Sequence, residues 1–194
     1  MAFLHYPKGI VVSCQVEMKI AIDAGHGGND PGAVGARLKE KDVNLKLALG
    51  LEEVLEEDYE VILTRSGDAF LHLRERSDLA NNKNADIFIS IHCNGFHKES
   101  ANGIETFHFP GSVQGELLAK SIHSSMQPTS GMRERGIKAA KFSVLARTKM
   151  PAVLLEIGFI TNPEDESKMA NEKWIERMAL AIREGVDDYF AQRI

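Results

Sequence analysis

A chain of 194 residues, 43% hydrophobic and 26% charged, is long enough to bury the core of one globular domain, and its composition excludes a disordered polymer. A net charge of −5 with acidic and basic residues intermixed excludes the clustered cations of a nucleic-acid binder. Two cysteines, Cys14 and Cys93, make neither a disulfide framework nor a CxxC knuckle, and no apolar run reaches the roughly 18 residues of a membrane span.

Residues 1–17 contain a short apolar run from Gly9 to Val12 ahead of Cys14. The run is too short for a signal-peptide core and is broken by Pro7, Lys8 and Gly9. The segment is therefore expected to be an N-terminal extension, with Met18 a second possible start, and residues 18–194 are expected to form the functional domain. Residues 18–23 alternate and are β-branched enough for a strand, which runs into the glycine-rich turn Gly25-His26-Gly27-Gly28. From Asp42 onward Val43, Leu47, Leu51 and Leu55 recur every four residues, the pattern of an amphipathic helix. Residues 59–64 read as a strand, 73–83 as a helix, and 86–91 as a short apolar strand ending at His92. A strand at 103–109 and a helix at about 113–126 follow. Further strands are expected at 142–146 and 152–155. Asn162-Pro163 opens a short helix, Asn as the cap and Pro in the first turn, and Trp174, Met178, Ile182 and Val186 form the buried face of the last helix.

Strands alternating with helices at this spacing predict a single-domain α/β fold: a mostly parallel twisted sheet of about six strands with helices on both faces. Ligands in such sheets bind beyond the carboxyl ends of the strands. His26 after the first strand, His92 at the end of the third and Glu156 at the end of the last all fall there. A catalytic zinc takes three protein ligands, typically imidazole nitrogen and carboxylate oxygen, and keeps a fourth position for water. His26, Glu40 and His92 can supply that set, but they are too far apart for spacing to establish it, and the helical HExxH pattern is absent. His26 is surrounded by glycines that let the backbone close around a ligand, and His92 interrupts an apolar strand at the rim. The other five histidines, His5, His72, His97, His108 and His123, lack such settings and read as surface or packing residues. On its own chemistry Glu40 is an acidic residue ahead of a helix, favoured there by the helix dipole. Cys93 should face away from His92, because neighbours on a strand point to opposite faces. Glu156 interrupts a buried strand, where a carboxylate either pairs with an arginine or serves as a general base. Arg65 and Arg76 read as structural.

Taken together, IDAGHGGNDPG at 22–32, EKDVNL at 40–45, LTR at 63–65, SIHCN at 90–94 and PAVLLEIGF at 151–159 resemble the amidase_3 family of N-acetylmuramoyl-L-alanine amidases, which includes autolysins and phage endolysins. The resemblance runs from Met18 to the C-terminus in the family's order. It departs in detail at Ala24, where Pro is common, and at Cys93, where Ala is common. It implies one zinc ion per chain held by His26, Glu40 and His92, with Glu156 the catalytic glutamate. It further implies hydrolysis of the amide between N-acetylmuramic acid and L-alanine in peptidoglycan. Arg135 and Lys138, in a basic stretch before the last strands, are candidates for binding the acidic stem peptide, against the alternative of a solvated basic loop.

A peptidase acting within the stem peptide and a wall-binding module without catalysis are the competing functions; the intact set of four residues speaks against the second. A monomer acting at the cell wall or outside the cell is expected, released by lysis or as part of a longer protein. No nucleic acid and no membrane span are expected.

Overall fold

A computed structural model describes residues 18–192; the expectations for the N-terminal extension, Cys14 and His5 lie outside the described residues. Six strands, β1 (Lys19–Ala24), β2 (Glu60–Leu63), β3 (Ile87–Asn94), β4 (Ile104–His108), β5 (Glu134–Ala139) and β6 (Ala152–Phe159), form one sheet in the order β2-β1-β3-β6-β4-β5. All neighbours are parallel except β4 and β6, which run antiparallel. The helices are α1 (Glu40–Leu55), α2 (Leu73–Asn82), α3 (Val113–Ser130), α4 (Ser143–Arg147), α5 (Pro163–Met169) and α6 (Glu172–Ala191).

Strand alternation sorts the side chains onto two faces. Ile20, Ile22, Ile89, Ile91, Val153 and Leu155 bury one face against Leu47 and Leu51 of α1, Leu118 and Ile122 of α3, and Met178 and Ile182 of α6. Ala21, Phe88, Ala152 and Leu154 face the other way, onto a smaller cluster with Ala80 of α2 and Val144 and Leu145 of α4. This second face also carries the polar side chains of the sheet, Asp23 and Ser90 among them. Farther along, His92, Glu156 and Glu105 share it in one cross-strand row, since His92 and Glu156 are register partners and so are Glu105 and Glu156. The chain leaves β1 toward β2 on one side and leaves β3 toward β4 on the other. A crevice therefore opens between the carboxyl ends of β1 and β3, as expected of a point where the sheet's winding reverses.

Several expected boundaries move. Residues 142–146 are not a strand but α4; Val144 and Leu145 are both buried in one cluster, whereas a strand would send adjacent residues to opposite faces. The stretch holding Arg135 and Lys138 is not a loop but the edge strand β5. Its charge concealed it, and charge suits an edge that must not pair further. Strands β3 and β6 continue past their apolar runs, so His92 and Glu156 lie within them. Helix α3 extends to Ser130 with Pro128 in its last turn and Gly131 as a left-handed stop. Asn162 caps α5 as expected, its side chain accepting from the N–H groups of Glu164 and Asp165.

Candidate active site

Three elements meet at the crevice. The turn after β1 carries His26, the first residue of α1 is Glu40, and β3 supplies His92. One carboxylate oxygen joins them: Glu40 Oε1 lies 3.1 Å from His26 Nε2 and 2.9 Å from His92 Nδ1. One potential ligand atom from each residue falls within 4.8 Å of the others. The local backbone is shaped around this contact. His26 has a left-handed φ of 61°, a conformation that costs a residue with a β-carbon about 1–3 kcal/mol. A β-carbon at Gly25 would lie 2.3 Å from the His92 ring, and one at Gly32 would lie 2.5 Å from Glu40 Oε2. Neither position admits a side chain while the cluster stands.

The floor beneath His26 is a buried polar frame. Asp23 accepts from Arg76 Nη1 at 2.8 Å, Thr64 Oγ1 at 2.8 Å and Ser90 Oγ at 2.7 Å. Arg76 also donates to the carbonyls of Ala24 and His26, and Arg65 donates to those of Ala24, Gly25 and Lys41. Both arginines thus satisfy carbonyls of the histidine turn, which is the structural role expected of them. Cys93 is buried, its Sγ near Asn44 Oδ1. It packs with the core on the face opposite His92, as alternation requires.

Electrostatics keep the carboxylate of the cluster ionised. Burial opposes the charge on Glu40, yet the hydrogen bonds and charges of His26 and His92 prevail and hold its carboxyl well below the usual carboxylate range. Burial also opposes a positive His26, and Glu40 and Asp30 outweigh it, raising that imidazole above its ordinary value. Asp30 Oδ2 sits 2.8 Å from His26 Nδ1. A carboxylate there fixes the Nδ1–H form of the ring and leaves Nε2 to act as the ligand atom. The sequence reading missed Asp30; its signal was an acid four residues after a glycine-framed histidine. Two imidazoles and one ionised carboxylate, gathered within 4.8 Å, fit the donor set of a catalytic zinc.

Glu156 stands beside His92 on β6. Among the described residues no arginine receives it, and its Oε2 is buried without a hydrogen-bond partner. Burial, reinforced by the negative charges of Glu40 and Glu105, pushes its proton affinity well above that of an ordinary glutamate. Next across the sheet, Glu105 accepts from Asn94 Nδ2 at 2.5 Å and Arg135 Nε at 3.3 Å, and pairs closely with Lys138 Nζ. The Arg135 guanidinium lies 4.8 Å over the Phe159 ring. Arg135 and Lys138 are therefore brought to the same strip as Glu156, but tied to a carboxylate that the sequence reading did not single out. A larger cavity of about 610 Å³ at the opposite rim, near Val113 and Met150, is remote from all these groups and carries none of the candidate chemistry.

The family model of N-acetylmuramoyl-L-alanine amidases, Amidase_3, matches residues 20–188. The chain belongs to this family. The amidase is 39% identical over 174 residues to the N-acetylmuramoyl-L-alanine amidase LytC of Bacillus subtilis, a match covering 88% of this chain and 35% of LytC. It is 37% identical over 177 residues to the sporulation-specific N-acetylmuramoyl-L-alanine amidase of the same organism, covering 89% of this chain and 68% of that protein. Among solved structures, the catalytic domain of CwlV from Bacillus (Paenibacillus) polymyxa var. colistinus superposes with a TM-score of 0.86 at 38% identity. That match covers 90% of this chain and 98% of the domain. The sheet of this amidase and its flanking helices are thus those of an amidase catalytic domain.

Proposed function

We propose that this amidase is a zinc-dependent hydrolase of the amide between N-acetylmuramic acid and L-alanine in peptidoglycan, with one zinc held by His26, Glu40 and His92 and with Glu156 as general base. The observation that carries this reading is the pairing of two unlike carboxylates on one crevice. Glu40 is held ionised between two imidazoles, and Glu156 is buried with a free oxygen and a raised proton affinity. Carboxylates driven apart in this way serve separate roles, one as ligand and one in proton transfer.

A zinc ion in the cluster supplies Lewis-acid polarisation of the scissile carbonyl and activation of water. The remaining work falls to the chain. Glu156 Oε2 accepts a proton from the attacking water and returns it to the departing amine of L-alanine. Asp30 keeps His26 in one tautomer, and the Arg65–Arg76 frame fixes the turn that carries it. Arg135 and Lys138 bind a carboxylate of the stem peptide. A guanidinium offers five N–H donors and an ammonium three, so both retain donors beyond those given to Glu105. The enzyme acts at the cell wall as a monomer. No helix among the described residues is long and apolar enough to cross a membrane.

Metal analysis and turnover on two purified variants test the assignment, with peptidoglycan products identified by mass spectrometry. Glu156→Gln should retain zinc and lose roughly 10²–10⁴-fold in turnover, the usual worth of general-base catalysis. His92→Ala should lose zinc and activity together. If Glu156→Gln loses the metal as well, Glu156 is a ligand; if it keeps near-normal turnover, the base lies elsewhere.

A further inference from the structure

The two flanks of the His26–Glu40–His92 cluster differ in chemistry. Toward β5 the sheet surface is ionic, with Glu156, Glu105, Arg135 and Lys138 in sequence across the strands. Toward α2 lies a cavity of about 300 Å³ that shares His26 and His92 with the cluster and is walled by Phe70, Leu71 and Leu73. Phe70 is 45% exposed and Leu73 55%. The charged groups bordering this cavity are committed elsewhere: Arg76 to Asp23 and three carbonyls, Asp30 to His26. The cavity therefore presents an apolar wall whose remaining imidazole, His72, is packed edge-on against the Phe70 ring at 5.0 Å.

That wall is fastened in place. Asp68 accepts from Gly28 N at 2.7 Å and from Lys41 Nζ at 2.7 Å, and Arg76 Nε donates to Leu71 O at 3.2 Å. A β-carbon at Gly27 would lie 2.1 Å from Ala69 O, and one at Gly28 would lie 2.9 Å from Phe70 N. The histidine turn and the loop before α2 are pressed together so closely that both glycines are needed. An exposed phenylalanine held this way binds without the ordering cost of a mobile loop, and small-ligand sites are commonly apolar walls with a few fixed polar groups.

The scissile bond joins an acyl half that is a sugar to an amine half that is a peptide. The sugar half carries no charge once its only carboxyl is engaged in the amide, whereas the peptide half bears carboxylates. Resting on the reading of the cluster as the reaction centre, we propose that the Phe70–Leu73 wall is the saccharide subsite. The apolar face and acetamido methyl of the N-acetylmuramoyl ring lie against Phe70, and the peptide runs the other way across β6 and β4 toward Arg135 and Lys138. This fixes the polarity of the substrate in the groove.

The test compares a soluble muramoyl peptide with its lactoyl counterpart, which keeps the scissile amide and lacks the sugar ring. Phe70→Ala should raise KM for the muramoyl peptide about tenfold, as expected for removing a partly desolvated aromatic contact, and leave the lactoyl peptide unchanged. Lys138→Gln should weaken both substrates alike. Phe96→Ala removes an aromatic residue of similar exposure, 47%, that lines a separate cavity with Val34 and His97, and should affect neither. If the lactoyl peptide is not turned over, calorimetric binding of both peptides to Glu156→Gln gives the same comparison. Equal losses on both substrates with Phe70→Ala, no loss on either, or a sugar-selective loss with Phe96→Ala would overturn the proposal. Unimpaired turnover by His92→Ala would instead overturn the reaction centre, whatever Phe70→Ala does.

Discussion

Gly25→Ala adds one methyl group at a position that takes no part in the chemistry, yet it should disable the site. The new β-carbon would lie 2.3 Å from His92 Cε1, 2.4 Å from Nε2 and 2.7 Å from Nδ1. Ordinary van der Waals contact begins near 3.4 Å, so the ring must retreat by about 1.1 Å. Gly25 does not have a positive φ, so backbone strain does not enter and the fold should survive. A displacement of about 1 Å in a reacting group costs on the order of 10²-fold in rate. Here the displaced group is a proposed ligand, so zinc affinity should fall as well. The assay is zinc content after equilibration with a weak chelator, alongside turnover of purified peptidoglycan and a thermal melt. Gly50→Ala, which adds the same methyl group with only Ala179 Cβ nearby at 3.8 Å, is the control. If Gly25→Ala binds zinc like the parent chain and turns over within about twofold of it, a range far inside the expected loss, His92 is not held against this glycine as described.

Gly50→Ala itself should stabilise the amidase, since Gly50 lies inside α1 and exchanging glycine for alanine in a helix interior is worth roughly 0.5–1 kcal/mol. Differential scanning calorimetry should show Tm rising by about 1–4 °C; a fall would mean that the contact with Ala179 is repulsive. His123 should make stability depend on pH. Burial lowers its pKa below the ordinary 6.5, with Glu134 opposing weakly, so the unfolded chain binds a proton that the folded chain refuses. Its contribution is fully present above the unfolded pKa and is lost as pH falls through the folded one. Urea titrations at pH 7.5 and pH 5 should therefore give a smaller pH-dependent loss for His123→Phe than for the parent chain, and identical losses would remove His123 as the cause.

How legible the site was in the sequence depended on how far each residue's role was local. His26 advertised itself through its own glycines, and the same glycines prove necessary because Gly25 and Gly32 back directly onto the His92 ring and the Glu40 carboxylate. His92 and Glu156 each stood at the end of an apolar run, and strand alternation turned Cys93 away from His92; that His92 and Glu156 share a face follows from the pairing of β3 with β6. Glu40 was different. Nothing near it in sequence distinguished a ligand from an acidic helix start, and only the family resemblance marked it; its carboxylate acquires its role from two histidines brought in by β1 and β3. Glu105 was not legible at all. Its partners Arg135 and Lys138 lie on β5, a strand hidden by its own charges, and its neighbour Glu156 arrives through an antiparallel pairing in an otherwise parallel sheet. The misplaced strand at 142–146 failed for a related reason: a short apolar run has no period of its own, and as a helix it packs both Val144 and Leu145 into the cluster with Ala80 of α2. Local pattern thus located the groups that must perturb their own backbone or strand. Groups whose chemistry comes from a cross-strand neighbour became visible only once the strand order was known. The ionic strip and the apolar wall belong to this second kind, and the polarity they give the groove is a property of the register between strands, which no single segment encodes.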